Sequence, residues 1–174
     1  MDNKELLFSE GFQKFSKALG TIFYLQINPL SDLYKKKDQD LYEVIRRDWV
    51  KGYIIGTINF YYQLSSYNKF SDGYFYIIAG LFGSYKIVPA KDKMAEYKDM
   101  FAEIEKKIDQ QDNDLAEGFK IGFEDSEINY RNKDDKKSGK KISLQRYLLK
   151  VIKETNWLIN MIKTNPKNIN GMRA

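Results

Sequence analysis

The 174-residue sequence contains no cysteine and no histidine. Without cysteine there are no disulfides, zinc–thiolate sites, iron–sulfur clusters or thiol nucleophiles. Without histidine there are no Ser–His–Asp triads, few transition-metal centres and no imidazole base working near neutral pH. A carboxylate or lysine site is the chemistry left open, and the expectation is a non-enzymatic protein without a cofactor. No uncharged run reaches the ~20 residues that span a bilayer. The longest, Gly52 to Asn68, is seventeen residues long and carries Asn59, Gln63, Ser65 and Ser66, so it reads as a buried or interfacial helix. The first residues, Met-Asp-Asn-Lys-Glu, lack a basic segment ahead of an apolar run, so no secretory signal is expected and a cytoplasmic location is the default.

Apolar residues make up 43% of the chain and charged residues 30%, a globular balance. The length suits one domain with its own core. The charge is unevenly distributed. Residues 131–174 hold twelve basic and three acidic residues, a net +9, whereas residues 1–130 hold seventeen basic and twenty-one acidic, a net −4. A basic end on an acidic body implies an anionic partner or internal neutralisation by an acidic stretch, such as residues 85–130 at net −5. Exposed ion pairs contribute only ~0–1 kcal/mol each, so internal pairing alone does not account for the asymmetry.

Apolar residues from Leu6 to Phe23 recur at three- and four-residue spacing and predict a helix over 3–25, ended by Asn28-Pro29. Asp32 to Asp40 reads as a charged connector, and a second helix runs from about Asp40 to Ser65. Within it Gly52 and Gly56 sit four apart, which suits close helix packing. Residues 67–88 are ambiguous. Ser71-Asp72-Gly73 can start a helix reaching Ser84, but Tyr74 to Ile78 are good strand formers and Gly80 and Gly83 weaken a helix. Further helices are predicted over Lys91–Gln111, over Leu115–Tyr130 behind an Asp112-Asn113-Asp114 cap, and from Ser143 to about Thr164, where Asn165-Pro166 ends the last one. The fold expectation is all-α: an irregular bundle of five or six helices, with a short strand pair around residues 67–88 as the alternative. Residues 1–130 form the helical body, 131–141 a basic loop, 142–164 a basic amphipathic helix docked on the body and 165–174 a tail.

The last helix carries the candidate site. At about 100° per residue, Leu144, Leu148, Val151, Ile152, Thr155, Leu158, Ile159 and Ile162 share one side. Arg146, Lys150, Lys153, Trp157 and Asn160 share the other. Trp157 among cations reads either as a stacking platform for an unpaired base or as a ring covered by the tail or the Tyr-rich middle. The loop adds Arg131, Lys133, Lys136, Lys137, Lys140 and Lys141 to the same field. The partner expected is therefore a nucleic acid, RNA or single-stranded DNA, or a nucleoprotein complex. An inhibitor or adaptor of a host nucleic-acid machine, of the kind phages and plasmids encode, fits that reading. The alternative is a protein-interaction module or homodimer using Tyr53, Tyr61, Tyr62, Tyr67, Tyr74 and Tyr76, a cluster larger than a small core easily buries. Peripheral attachment to an anionic membrane ranks last.

Two weaker signals remain. Asp112, Asp114 and Glu117 lack the spacing of a calcium loop and read as helix-capping acids. Glu124, Asp125 and Glu127 read as a solvated acidic face.

Overall fold

A computed structural model describes residues 5, 7, 9–36, 40–87, 94–111, 113–133 and 143–164, with the side chains of 71, 94–98 and 155–164 outside the description. The protein is all-α. The described residues form seven helices: α1 (Glu10–Lys36), α2 (Leu41–Ile45), α3 (Asp48–Leu64), α4 (Ser71–Ser84), α5 (Met94–Asp109), α6 (Asp114–Arg131) and α7 (Ser143–Thr164).

That is more than the five or six expected, and the differences lie in the first two predicted helices. α1 runs through Pro29 to Lys36, so part of the expected connector is helical. Pro29 is exposed while Phe23, Ile27, Leu30 and Tyr34 are buried. The missing N–H and the ring therefore fall on the solvent side, and the apolar stripe continues beneath them. The expected helix over 40–65 is two helices. Asp40 caps α2 by accepting the Tyr42 N–H at 2.8 Å, and extended Arg47 (φ −63°, ψ 147°) breaks the path before α3. Among the described residues the alternative strand pair around 67–88 is absent, and α4 is the helix expected to reach Ser84, with Ile77, Ile78, Leu81 and Phe82 facing inward at helical spacing. Gly80 and Gly83 fall on its open side, where they weaken the helix without breaking it.

The central packing unit is the crossing of α3 and α6. A Cβ on Gly52 would lie 2.0 Å from the Leu115 carbonyl oxygen, and one on Gly56 2.0 Å from that of Phe119. On the facing helix, a Cβ on Gly118 would lie 2.0 Å from the Trp49 oxygen, and one on Gly122 2.2 Å from that of Tyr53. Contacts advance together along both helices, so the two run parallel, with α4 and α5 between them in sequence. The relation is reciprocal: each helix presents Gly-x-x-x-Gly to the carbonyls of the other. Each glycine Cα–H points at an oxygen, the geometry of a weak Cα–H···O contact. Glycine in a helix costs about 0.8–1 kcal/mol against alanine, which close backbone contact over two turns offsets. Thr57 Oγ1 and Ser126 Oγ both donate to the Gly122 carbonyl, at 3.2 and 2.7 Å.

Around this pair, Phe12 and Phe23 of α1, Ile45 of α2, Phe82 of α4 and Leu144 and Leu148 of α7 are fully enclosed.

Candidate nucleic-acid interface

The basic helix α7 is fixed from three directions. At its start the Ser143 N–H donates to Asp125 Oδ2 at 3.1 Å, and the Tyr53 hydroxyl donates to the same oxygen at 3.1 Å. Asp125 is buried, contrary to the expectation of a solvated acidic face. It places a carboxylate at the positive end of α7, where charge and dipole attract. Glu124 of the same trio is exposed, as expected. One turn into α7, the Leu148 carbonyl accepts from the Tyr34 hydroxyl at 2.9 Å. Beside it Tyr147 stacks on Trp49, with ring centroids 4.3 Å apart and planes 7° apart. Leu144, Leu148, Val151 and Ile152 fill the interior, as the helical wheel requires.

The opposite side is cationic. Arg146, Lys150 and Lys153 are exposed. Lys150 Nζ lies 3.6 Å from Glu154 in an open i,i+4 pair, while Arg146 and Lys153 make no ion pair among the described residues. The described ion pairs are local to one helix, Lys14–Glu10, Lys51–Asp48, Arg131–Glu127 and Lys150–Glu154. Internal neutralisation of α7 by the acidic stretch 85–130 is not seen among the described residues.

Of the loop residues, Arg131 ends α6 and pairs with Glu127 at 2.5 Å, and Lys133 Nζ sits 4.8 Å from the centroid of the Tyr130 ring. Lys136, Lys137, Lys140 and Lys141 lie outside the described residues. So do the side chains of Trp157 and Asn160, although their backbone belongs to α7. Tyr130, which the helical periodicity does not single out, lies just ahead of Arg131 and Lys133 and is 43% exposed. Its ring packs edge-on against Phe60, with centroids 6.0 Å apart, and carries the Lys133 ammonium. Its signal was an aromatic residue directly preceding the basic run.

The tyrosine cluster is mostly internal. Tyr53 is 2% and Tyr62 5% exposed, Tyr61, Tyr67 and Tyr74 are half-buried, and only Tyr76 sits at the surface. Two of the hydroxyls find partners within the chain: Tyr53 donates to Asp125 and Tyr62 to the Phe70 carbonyl. Burial pushes the Tyr62 hydroxyl up to about 12, and raises Tyr53 and Tyr74 above their ordinary value. Tyr53 and Tyr62 thus supply core volume with their polar tips satisfied.

Asp114 and Glu117 occupy the first turn of α6 and Asn113 Oδ1 caps it, accepting the Ala116 N–H at 2.9 Å; Asp112 lies outside the described residues. No group of three or more acidic residues among the described residues is placed to hold a metal ion. No helix among them is long and apolar enough to cross a membrane. Comparison with protein-family models, curated proteins and solved structures gives no match to this chain.

Proposed function

We propose that this protein binds single-stranded nucleic acid, free or within a nucleoprotein complex, and does so without catalysing a reaction on it. One observation carries the reading. The described first half of α7 commits Leu144, Leu148, Val151 and Ile152 to the core and holds Arg146, Lys150 and Lys153 in solvent, within a segment, residues 131–174, of net charge +9. A rigid cationic ridge neutralises phosphates and releases their counterions. Tyr130, just ahead of Arg131 and Lys133, adds a partly exposed ring on which an unpaired base stacks by displacing the Lys133 ammonium now over it.

A cytoplasmic inhibitor or adaptor of a nucleic-acid machine is the role that fits such a surface. Self-association through the tyrosines draws less support, because Tyr53 and Tyr62 are buried within the chain. The test is anisotropy of a labelled single-stranded oligonucleotide titrated with the protein at increasing salt. Affinity is expected to fall linearly on a log–log plot. Absence of binding at low ionic strength overturns the proposal.

A further inference from the structure

On a different part of the molecule, a cleft of about 280 Å³ opens between the middle of α1, the start of α2 and the end of α4. Its size is near the lower end of the ~300–1,000 Å³ typical of ligand pockets. The floor is apolar and built from the buried Ile27, Leu41 and Ile45. Three tyrosines rise around it: Tyr24 is 54% and Tyr42 40% exposed, and Tyr85 is half-buried. Burial, together with the neighbouring Tyr24 and Tyr42, pushes the Tyr85 hydroxyl up to about 12, so it is a neutral donor at physiological pH.

The remaining lining is polar and specific in sign. Asn28, Ser31 and Lys35 project from successive turns of α1, and Asp40 faces them from the α2 cap. Asp40 uses Oδ1 to cap α2, leaving Oδ2 able to accept from a hydroxyl. Just outside, Lys86 Nζ lies 5.4 Å from the centroid of the Tyr42 ring. Lys86 is a non-glycine residue held at φ 52°, a conformation that costs about 1–2 kcal/mol. Two bonds hold it there: Arg46 Nε donates to its carbonyl at 2.8 Å, and the next amide, Ile87 N–H, returns to Phe82 O at 2.8 Å. The cost is met by local structure that keeps a cation beside Tyr42 at the cleft's edge.

From this arrangement we infer that the cleft binds a nucleoside monophosphate. A flat base fits between tyrosine faces over an aliphatic floor. Asn28 and Ser31 offer donors and acceptors to its edge, pairings that a plain aromatic acid would leave unmade. Asp40 accepts a ribose hydroxyl, and Lys35, with Lys86 at the rim, attracts the phosphate. The inference does not depend on the nucleic-acid reading, since it uses no residue of α7 or of the basic loop.

Isothermal titration calorimetry of the full chain with adenosine 5′-monophosphate and with adenosine tests it. Tyr24→Ala and Lys35→Ala alter exposed side chains, and circular dichroism confirms that each variant is folded. The expected result is one nucleotide site per chain. Tyr24→Ala weakens both ligands about tenfold, in line with ~1–3 kcal/mol for base stacking. Lys35→Ala weakens the monophosphate alone. A charge-reversed α7 (Arg146→Glu with Lys150→Glu) leaves this binding unchanged. No heat of binding at millimolar nucleotide overturns the inference. So does a nucleotide affinity that survives Tyr24→Ala and Lys35→Ala but is lost on reversing α7, which would place the nucleotide on the basic helix.

Discussion

Glycines at the α3–α6 crossing and glycines on α4 are the same residue under opposite rules. At Gly52, Gly56, Gly118 and Gly122 an added Cβ runs into backbone carbonyl oxygen, which has no rotamer with which to move aside. At Gly80 and Gly83 an added Cβ meets nothing within 4 Å. The first group sets how close two helices approach, and so sets where Tyr53 and Asp125 stand to hold α7. The second group only lowers the helix propensity of α4. The crossing pairs are four apart and the α4 pair three apart, but what each glycine meets is decided by a helix dozens of residues away.

The sharpest way to break this contrast is to fill the crossing. Gly56→Ala or Gly118→Ala should destabilise the protein by about 3 kcal/mol or more, the upper end of overpacking costs, because backbone must shift. For a chain of this size that lowers the melting temperature by roughly 6–12 °C. A melting curve within a degree of wild type would mean that the helices do not cross at these glycines.

The second test concerns what surrounds the crossing. The chain has no histidine or cysteine to titrate near neutrality. Burial raises Tyr34, Tyr62 and Tyr85 from an ordinary value of 10.0 to about 12, and raises Tyr53 and Tyr74 as well. Below pH 10 both folded and unfolded chains hold these protons, and stability has no slope from them. Between about pH 10 and 12 the unfolded chain loses protons that the folded chain retains, so stability falls with rising pH. Denaturant unfolding should give a flat midpoint from pH 6.5 to 9 and a decline above 10. A midpoint that holds steady through pH 11 would place these phenols in solvent.

The smallest effect has the opposite sign. Gly80→Ala and Gly83→Ala should each stabilise the protein by about 0.5–1 kcal/mol. Destabilisation at either position would show that α4's outer side is covered.

The sequence pattern was most legible where the determinants are local. The bounds of α7, Ser143 and Thr164, and its division into an aliphatic and a cationic side follow from periodicity and the terminal Asn-Pro. So does the cap of α6, read as Asp112-Asn113-Asp114 and made by Asn113. Where the deciding partner is distant, periodicity misleads. Proline at 29 signals a stop, but packing of Leu30 and Tyr34 carries α1 past it. Asp125 looks like one of three surface acids until Tyr53 and the first amide of α7 are seen to converge on it. Gly52 and Gly56 were readable as a close-packing face; Gly118 and Gly122 repeat the spacing, but that the two pairs face each other is visible only in three dimensions. Tyr130 was missed for another reason. A single aromatic residue before a basic run carries little signal until its ring is seen exposed beneath Lys133.

The cationic side of α7 provides the counterpart to the crossing. Among the described residues its one ion pair is the open Lys150–Glu154 contact at 3.6 Å, worth only a few tenths of a kcal/mol, so its charge can be changed at little cost to the fold. The most direct measurement compares wild type with the triple variant Arg146→Glu, Lys150→Glu and Lys153→Glu for binding a labelled single-stranded oligonucleotide across a range of salt. Each lost phosphate contact on a single strand removes about 0.7 from the log–log salt slope. The account predicts unchanged melting, weaker binding and a slope shallower by about 2. Equal affinity and equal slope in the two proteins would contradict it.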